Sequence, residues 1–505
     1  MIYRITGKTQ ICPFRKSYNN VFHLYERLLF TAISSILKLY NTLTRHVCDL
    51  APQDNKVRIY LCGVTVYDDS HIGHARTVIV FDILHRYLKF NGHDVQFIQN
   101  FTDIDDKIID RARSEHLGVK ELTEKYIESY FVDFDSLNIL GADIYPRATE
   151  HIQDIIQLIE RLIRKGTAYT SVNGVYFSVK SFEGYGKLSQ KSIQDLESGA
   201  RIEIDPSKRD PLDFALWKFY SDDDVWESPW GKGRPGWHIE CSAMALKYLG
   251  NSFELHGGGS DLVFPHHENE IAQSESATGM QFSKLWIHTG MVTVNGHKMS
   301  KSLHNIITIQ NATNRWGPNA VKLYCISVQY SKPLDYADDV LLECAHKWRQ
   351  IETCAYELRF AIGRNGQVQC IKKICKESMD MVESAMDDDL NTPIALQILM
   401  KFVTELNRYA AEEKLTSDMS KIALITFNDL MYVFGLKISE PPAVERKEIE
   451  TLIKKRDILR KEKRFEESDA IRKGLLKGYS IELLDHKNRT IWKKVANTLI
   501  GEKLI

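Results

Sequence analysis

Apolar and polar positions along the chain fall into a few short periodic stretches that set the expected elements. Val57 to Val66 is a run rich in β-branched and aromatic residues and reads as a strand. From about Ala75, apolar residues recur at helical spacing through Val78, Phe81, Leu84 and Leu88, and the pattern stops before Gly92. Val95 to Phe101 is a second strand run. Strand, helix and strand in succession predict a parallel sheet with crossover helices. Residues 145 to 233 break this grammar with helical and short-strand segments, many turns and a charged loop around Asp205 to Pro211, and are expected to form an inserted subdomain. The sheet resumes at Ser252 to His256, followed by Gly257-Gly258-Gly259 and a helix that opens at Pro265 and closes before Gly279. Val292-Thr293-Val294 ahead of Asn295-Gly296 is a hairpin signal. From about 340 to 437 the pattern is helical throughout, with Thr392 as an N-cap and Pro393 as the first helical residue. Glu440-Pro441-Pro442 reads as a linker.

Composition narrows the class. A chain of 505 residues with 43% hydrophobic and 26% charged residues is an ordinary globular protein of two to four domains, not a fibrous or disordered one. Lys+Arg 66 against Asp+Glu 67 leaves no global positive field, so any nucleic-acid contact must come from a local patch. The nine cysteines are odd in number, scattered and never spaced as CxxC, which argues for a reducing compartment rather than a disulfide scaffold. No apolar run approaches the roughly 20 residues needed to span a bilayer. The first thirty residues hold five bases and one acid. That balance admits an organellar transit peptide, but a dispensable extension is the expected reading, with the protein cytoplasmic.

Two short motifs carry chemistry. His71-Ile72-Gly73-His74 falls where the first strand passes into its helix, and in an open parallel sheet anionic ligands bind at such junctions. Two imidazoles there suit phosphate oxygens. The pattern HxGH arises by chance in roughly 3% of chains of this composition, so it is only moderate evidence by itself. Lys298-Met299-Ser300-Lys301-Ser302 follows the hairpin, and its two lysines around small hydroxyl residues suit a mobile clamp on a polyphosphate. Together and in this order the motifs resemble the HIGH and KMSKS signatures of class I aminoacyl-tRNA synthetases.

A third constellation is compatible with a metal. His266 and Glu270 lie four apart on an expected helix and share a face, while Cys241 falls on the preceding helix and Cys62 at the end of the first strand. On spacing alone, buried core cysteines and a surface His–Glu pair are the commoner explanation. His267, adjacent to His266, is left out of the set, because an α-helix turns 100° per residue and points it away from His266. The surrounding strings resemble the cysteinyl-tRNA synthetase family: Tyr60 to Asp68, Phe101 to Lys107, Gly236 to Ser242, Gly257 to Leu262, Phe264 to Glu270 and Asp387 to Pro393. The resemblance runs from Lys38 to Lys494 and leaves the N-terminal extension outside it.

The resemblance implies an α/β fold. Residues 37–144 and 234–290 would form a Rossmann-like parallel-sheet catalytic domain, interrupted by a connective subdomain at 145–233. A KMSKS-loop region at 291–339, a tRNA-binding helical bundle at 340–440 and a small basic domain at 441–505 would follow, with 1–36 as the extension. It implies one zinc ion held by Cys62, Cys241, His266 and Glu270, which also binds the substrate thiolate. Soft thiolates suit zinc, whereas serine offers a hard, protonated hydroxyl, so no editing site is expected. Gly63, Thr102 and Trp237, with Cys62, would meet cysteine. His71 and His74 would meet ATP, Gly259 and Asp261 would lie along the adenosine, and Lys298 and Lys301 would stabilise the reacting phosphate, with Mg2+ accompanying the nucleotide. The implied partners are ATP, L-cysteine and tRNA(Cys), and the expected state is a monomer. Asp103 to Asp106 reads better as an acidic helix start than as a magnesium site.

Residues 446 to 494 carry 16 Lys+Arg against 9 Asp+Glu, and this tail supplies the local basic patch, with Trp492 as a candidate to stack on an anticodon base. Two rivals stand beside this reading. One is a relative that joins cysteine to an amino sugar, as mycothiol ligase does; such relatives lack the C-terminal domains present in this chain. The other is an inactive RNA-binding paralogue, which the complete set of signature residues disfavours.

Overall fold

The strand–helix–strand unit forms as β1 (Lys56–Thr65), α1 (Ile72–Phe90) and β2 (Asp94–Thr102). The helix begins three residues before the periodic apolar pattern, so His74 lies in its first turn. The alternation returns as α2 (Trp237–Leu249), β3 (Phe253–Gly259), α3 (Glu268–Thr278) and β4 (Ser283–Thr289). The four strands pair in the order β4-β3-β1-β2, all parallel. Val57, Ile59, Tyr60 and Leu61 are all fully buried, as suits an inner strand of a parallel sheet.

The computed structural model describes residues 36–192, 194, 207–221, 224–299, 303–361, 368–486 and 490–494. All of the expected extension except Ile36, and the charged loop at 205–211 up to residue 206, lie outside them. The chain divides into two compact units. One takes the described residues up to Asp69 together with Tyr87–Val132 and Leu140–Met291; the other takes Ser70–Arg86, Asp133–Ile139 and the residues from Val292 onward.

In the first unit, the edge of β2 is covered by residues 143–147, whose carbonyls at Ile144 and Pro146 accept from Gln99 and Phe101. The chain therefore still belongs to the parallel sheet at 145, where the sequence pattern placed the start of the insert. The insert is a helix, Ile152–Arg164, with a four-stranded antiparallel sheet of Ala168–Ser171, Gly174–Phe177, Phe214–Phe219 and Gly233–Pro235. Its core of Ile155, Ile159, Phe177 and Trp217 is continuous with Ile239 and Ala243 on α2.

In the second unit the hairpin forms at the expected place, Val292–Val294 against His297–Lys298. Its turn residues Asn295 and Gly296 both have positive φ, which is what a two-residue hairpin of this twist needs. Four long helices follow: Asp338–Arg359, Val368–Asp387, Thr392–Ala411 and Ser417–Val433. The third is capped by Asn391, whose side chain accepts from the Ile394 N–H, so Thr392 is the first helical residue rather than the cap. Asn is as good a cap as Thr and stands one residue earlier. Two further helices and the hairpin Ile481–Asp485/Thr490–Lys494 close the described chain. Among the described residues no helix is long and apolar enough to cross a membrane.

The helix α1 is anchored in the second unit by buried charge. Asp82 Oδ2 accepts from Arg86 Nε at 2.9 Å and from Lys322 Nζ at 3.2 Å, all three side chains being buried. Lys322 also donates to the Gly435 carbonyl and Arg86 to the Asn138 carbonyl. Gly435 has φ +61° and an added Cβ would lie 2.3 Å from Lys322 Nζ, so only glycine fits. Neutralising the shared carboxylate strands two buried cations on neutral acceptors. Asp82→Asn is expected to lose about 3–5 kcal/mol in urea unfolding at neutral pH, and a loss under about 1 kcal/mol would contradict the assignment.

Candidate functional site

Two residues of β1 oppose one of β2 near the carboxyl end of the sheet. Leu61 pairs with Gln99 and Val64 with Phe101, leaving Cys62 and Gly63 across from Asn100. This is a β-bulge, a device that re-aims a side chain. Cys62 Sγ stands 3.3 Å from Glu270 Oε1 and 3.5 Å from His266 Nε2, and those two atoms are 3.1 Å apart. Cys241, from α2, completes a buried group whose four donor atoms lie within 4.8 Å of one another. Two thiols, an imidazole and a carboxylate form a donor set suited to a tetrahedral zinc site.

The partners of these side chains leave the right atoms facing inward. His266 turns its Nδ1 to His238 Nδ1 at 3.0 Å, and Glu270 gives its second oxygen to His256 Nε2 at 2.9 Å. Such outer contacts orient metal ligands. The hydrogen bond from Cys62 pulls the Cys241 thiol down to about 6 against the effect of burial. Burial alone would lower His266, but the Glu270 carboxylate and Cys241 together outweigh it and raise the imidazole to about 10. Burial pushes Cys62 well up and would raise Glu270, which His256 and His266 instead hold well below the usual carboxylate range.

His267 joins this cluster, contrary to expectation. Val263–His267 forms a π-turn with Phe264 in an extended conformation, and regular α-helix begins only at Glu268. His267 itself has helical φ/ψ and stands three residues before Glu270, as His266 stands four before it, so both imidazoles reach one carboxylate: His267 Nε2 lies 3.9 Å from Glu270 Oε1 while its Nδ1 meets His288 Nε2 at 2.7 Å. That Nε2 is buried without a hydrogen-bond partner. Cys62, His256, His267 and Glu270 make a second, overlapping donor group.

Around the cluster, Asn100, which the motif reading passed over, links the expected pocket residues Gly63 and Thr102 to the expected metal ligand Cys241. Its Oδ1 accepts from the Gly63 N–H at 2.9 Å and lies 3.7 Å from Cys241 Sγ, and its Nδ2 donates to Thr102 Oγ1 at 3.4 Å. Buried amides among apolar strand residues were the available signal. His256, inside an apolar strand run, and His238 were missed for the same reason. Trp237 is 37% exposed, with its ring 4.3 Å from that of His266, so it stands at the rim rather than in the core. Gly259 ends β3 and Asp261 falls in the short helical turn Ser260–Leu262 that follows, and an added Cβ on Gly259 would press on Asp261 Oδ1 at 2.6 Å.

The signature motifs meet in the second unit. The His71 and His74 rings stack at 3.7 Å. His71 Nδ1 accepts from the Gly73 and His74 N–H groups, and His74 Nδ1 accepts from the His71 N–H. Both rings therefore carry their proton on Nε2. Burial, followed by the neighbouring His71, keeps His74 well below its ordinary range and so neutral. The Met299 methyl lies against Gly73, and Ile72 N–H donates to the Ile307 carbonyl, which brings the second signature to the first. Lys298 ends the hairpin strand with an exposed side chain, whereas Ser300, Lys301 and Ser302 lie outside the described residues.

Trp492 does not offer a stacking face. It is 4% exposed and packs in the C-terminal core with Ile449, Ile453 and Leu475, its ring 5.8 Å from those of Tyr356 and Phe360. Ile491, Trp492 and Lys493 are all buried on this strand, a core position that the lysines obscure in the sequence. Asp105 caps the helix Asp106–Glu115 through its side chain, so the acidic run is a helix start.

A family model described as "tRNA synthetases class I (C) catalytic domain" matches residues 50–346, and a DALR domain model matches 381–439. The parallel sheet and paired signatures are thus those of a class I synthetase. Cysteine--tRNA ligase of Thermodesulfovibrio yellowstonii is 44% identical over 490 residues, covering 91% of this chain and 100% of that protein. The ligase of the same name from Thermococcus gammatolerans is 44% identical, covering 91% and 99%. The chain belongs to the cysteine--tRNA ligase family. Among solved structures, Mycobacterium tuberculosis methionyl-tRNA synthetase with methionyl-adenylate aligns with a TM-score of 0.56 at 15% identity, over 75% of this chain and 88% of that one. The LeuRS of Agrobacterium radiobacter K84 in its ternary complex gives 0.56 at 11%, over 76% and 85%. At such identities the likeness is one of fold.

The bulge leaves no space at position 63, where an added Cβ would lie 1.6 Å from the Asn100 carbonyl oxygen. Gly63→Ala must push β1 and β2 apart. It is expected to cost about 2 kcal/mol or more in thermal unfolding and to weaken metal uptake, and an unchanged melting temperature would contradict the close approach.

Proposed function

We propose that this chain joins L-cysteine to tRNA(Cys) with ATP, in two steps. The cysteine carboxylate attacks the α-phosphorus of ATP, the bond to the β-phosphate oxygen breaks, and cysteinyl-adenylate and pyrophosphate result. The ribose hydroxyl at the 3′ end of tRNA then attacks the cysteinyl carbonyl and AMP leaves. The observation that carries the reading is the buried group of Cys62, Cys241, His266 and Glu270 at the carboxyl end of a parallel sheet.

Zinc held by those four residues would supply a Lewis acid to which a thiol binds as thiolate. The chain's own part is to present that centre in a fixed orientation. His238 and His256 hold His266 and Glu270, and Asn100 spaces Gly63, Thr102 and Cys241 along one wall. In this reading Gly63, Thr102 and Trp237 line the cysteine pocket, and Gly259 and Asp261 lie along the adenosine. His71 and His74 each offer an Nε2–H to phosphate oxygens, and neutrality suits His74 to donate one hydrogen bond as charge develops. Lys298 and Lys301 neutralise the departing pyrophosphate, with Mg2+ bound to the nucleotide.

The DALR match and the helical bundle favour tRNA over an amino sugar as the acceptor. The exposed bases of Ala443–Lys461 and Phe465–Tyr479 fit a phosphate-contacting face. The protein acts as a monomer in a reducing, cytoplasmic compartment, as its eight free described cysteines suit.

The test compares wild type with Cys241→Ser for bound zinc, cysteine-dependent ATP–pyrophosphate exchange and tRNA charging. The wild type is expected to hold one zinc and charge tRNA. The variant should lose the metal and at least about a hundredfold in kcat/KM for cysteine. Adenylate formation without any charging of tRNA would place the acceptor elsewhere, and full cysteine selection by the metal-free variant would overturn the role of the cluster.

A further inference from the structure

Lys218 and Arg234 stand directly opposite each other on neighbouring antiparallel strands of the insert. Like charges in that position repel unless an anion lies between them. Asp106 is that anion. Its Oδ2 accepts from Lys218 Nζ at 2.7 Å, and its Oδ1 meets Tyr220 OH at 3.2 Å and Arg234 Nη2 at 3.4 Å. Tyr220 is two residues beyond Lys218, hence on the same face, and the Arg234 guanidinium lies 3.6 Å from its ring centroid. Arg234 is only 5% exposed, so its position is set by these contacts.

Asp106 is not needed to cap its own helix, because Asp105 does that. Its backbone is pinned from the other side as well: Asp103, three residues earlier and next to Thr102, accepts from Thr149 N–H at 2.9 Å and from Thr149 Oγ1 at 2.6 Å. Beyond Arg234 there is no slack before Trp237. Gly236 N–H donates to the Leu216 carbonyl at 2.9 Å, and an added Cβ there would lie 2.0 Å from the Ala215 carbonyl oxygen. Trp237 is the next residue and opens α2.

We infer that Asp106 is a positioning residue for the amino-acid pocket, latching the strand that delivers Trp237 to the strand end that carries Thr102. This rests on the reading that Thr102 and Trp237 line the cysteine pocket. The latch sets the gap between the two walls, and therefore how well cysteine is held, without touching substrate or metal.

The experiment uses the full-length zinc-loaded enzyme and measures KM for cysteine, KM for ATP and kcat in ATP–pyrophosphate exchange, with bound zinc and melting temperature alongside. Asp106→Asn is expected to raise KM for cysteine about five- to tenfold with KM for ATP, zinc and melting temperature near wild type. Lys218→Gln, at a half-exposed side chain, should move KM for cysteine in the same direction and decides the matter if Asp106→Asn fails to fold. Asp106→Glu should recover most of the loss. Trp237→Ala should raise KM for cysteine too, and the double variant should do little more than Trp237→Ala alone. If Trp237→Ala raises KM and neither latch variant does, the latch is wrong and the pocket reading stands. If Trp237→Ala leaves KM unchanged, the pocket reading fails and the latch with it. Parallel rises in both KM values, or loss of zinc, would show a general structural role and overturn the proposal.

Discussion

One extra residue in β1 organises the site. If Cys62 and Gly63 did not together oppose Asn100, strict alternation would fix the direction of Cys62 by its register with β2. The bulge frees that direction, and the missing side chain at Gly63 lets the Asn100 carbonyl approach closely. Asn100 then uses its side chain to tie Gly63, Thr102 and Cys241 together. Opposite it the π-turn at Val263–His267 leads into α3, and His266 and His267, four and three residues before Glu270, bring two consecutive imidazoles to one carboxylate. Both irregularities interrupt a regular element at the site, and the sheet and helices that flank them are regular enough to hold them.

The signature motif in the second unit follows a similar economy. Three backbone N–H groups at the start of α1 are spent on ring nitrogens, which fixes both tautomers and stacks the imidazoles. Lower in the same helix, Arg76 gathers the carbonyls of Gln329, Tyr330 and Lys332, and Asp82 gathers Arg86 and Lys322. Apart from the Asp82–Arg86 pair, four residues apart, those are long-range contacts in sequence, so the helix bearing the histidines is held by the region after the hairpin.

The layered α/β plan, the hairpin turn, the insert and the helical bundle were all legible from periodicity and punctuation, because each rests on local pattern. The identities of Cys62, Cys241, His266 and Glu270 were legible from the surrounding strings, and the structure gathers all four. What escaped was irregular or distributed. Comparing His267 with His266 alone overlooks that a residue three before Glu270 shares its helix face. Asn100, His238 and His256 hold the site through tertiary contacts that leave no periodic trace. Trp492 has basic neighbours in sequence, yet the hairpin packs it together with Ile491 into the C-terminal core. The cap at Asn391 was displaced by one residue, the usual consequence of two good caps side by side.

The central strand has a neighbour from far along the chain. β1 pairs with β3, and Arg58 bonds Glu254 across 196 positions. A ribosome working at about 5–20 residues per second leaves that edge of β1 open for about 10–40 s after the strand is made. The antiparallel insert is the product of much of that interval, and it can pair its own strands while the apolar run Val57 to Leu61 has only β2 beside it. Synthesis therefore runs ahead of the sheet. The two thiols of the site stay apart until α2 emerges, and the histidines and carboxylate come later still, so the nascent chain holds an unfinished parallel sheet through a long stretch of its synthesis. Its yield in a cell is then set by how well that exposed strand edge is shielded during synthesis as well as by the stability of the finished fold.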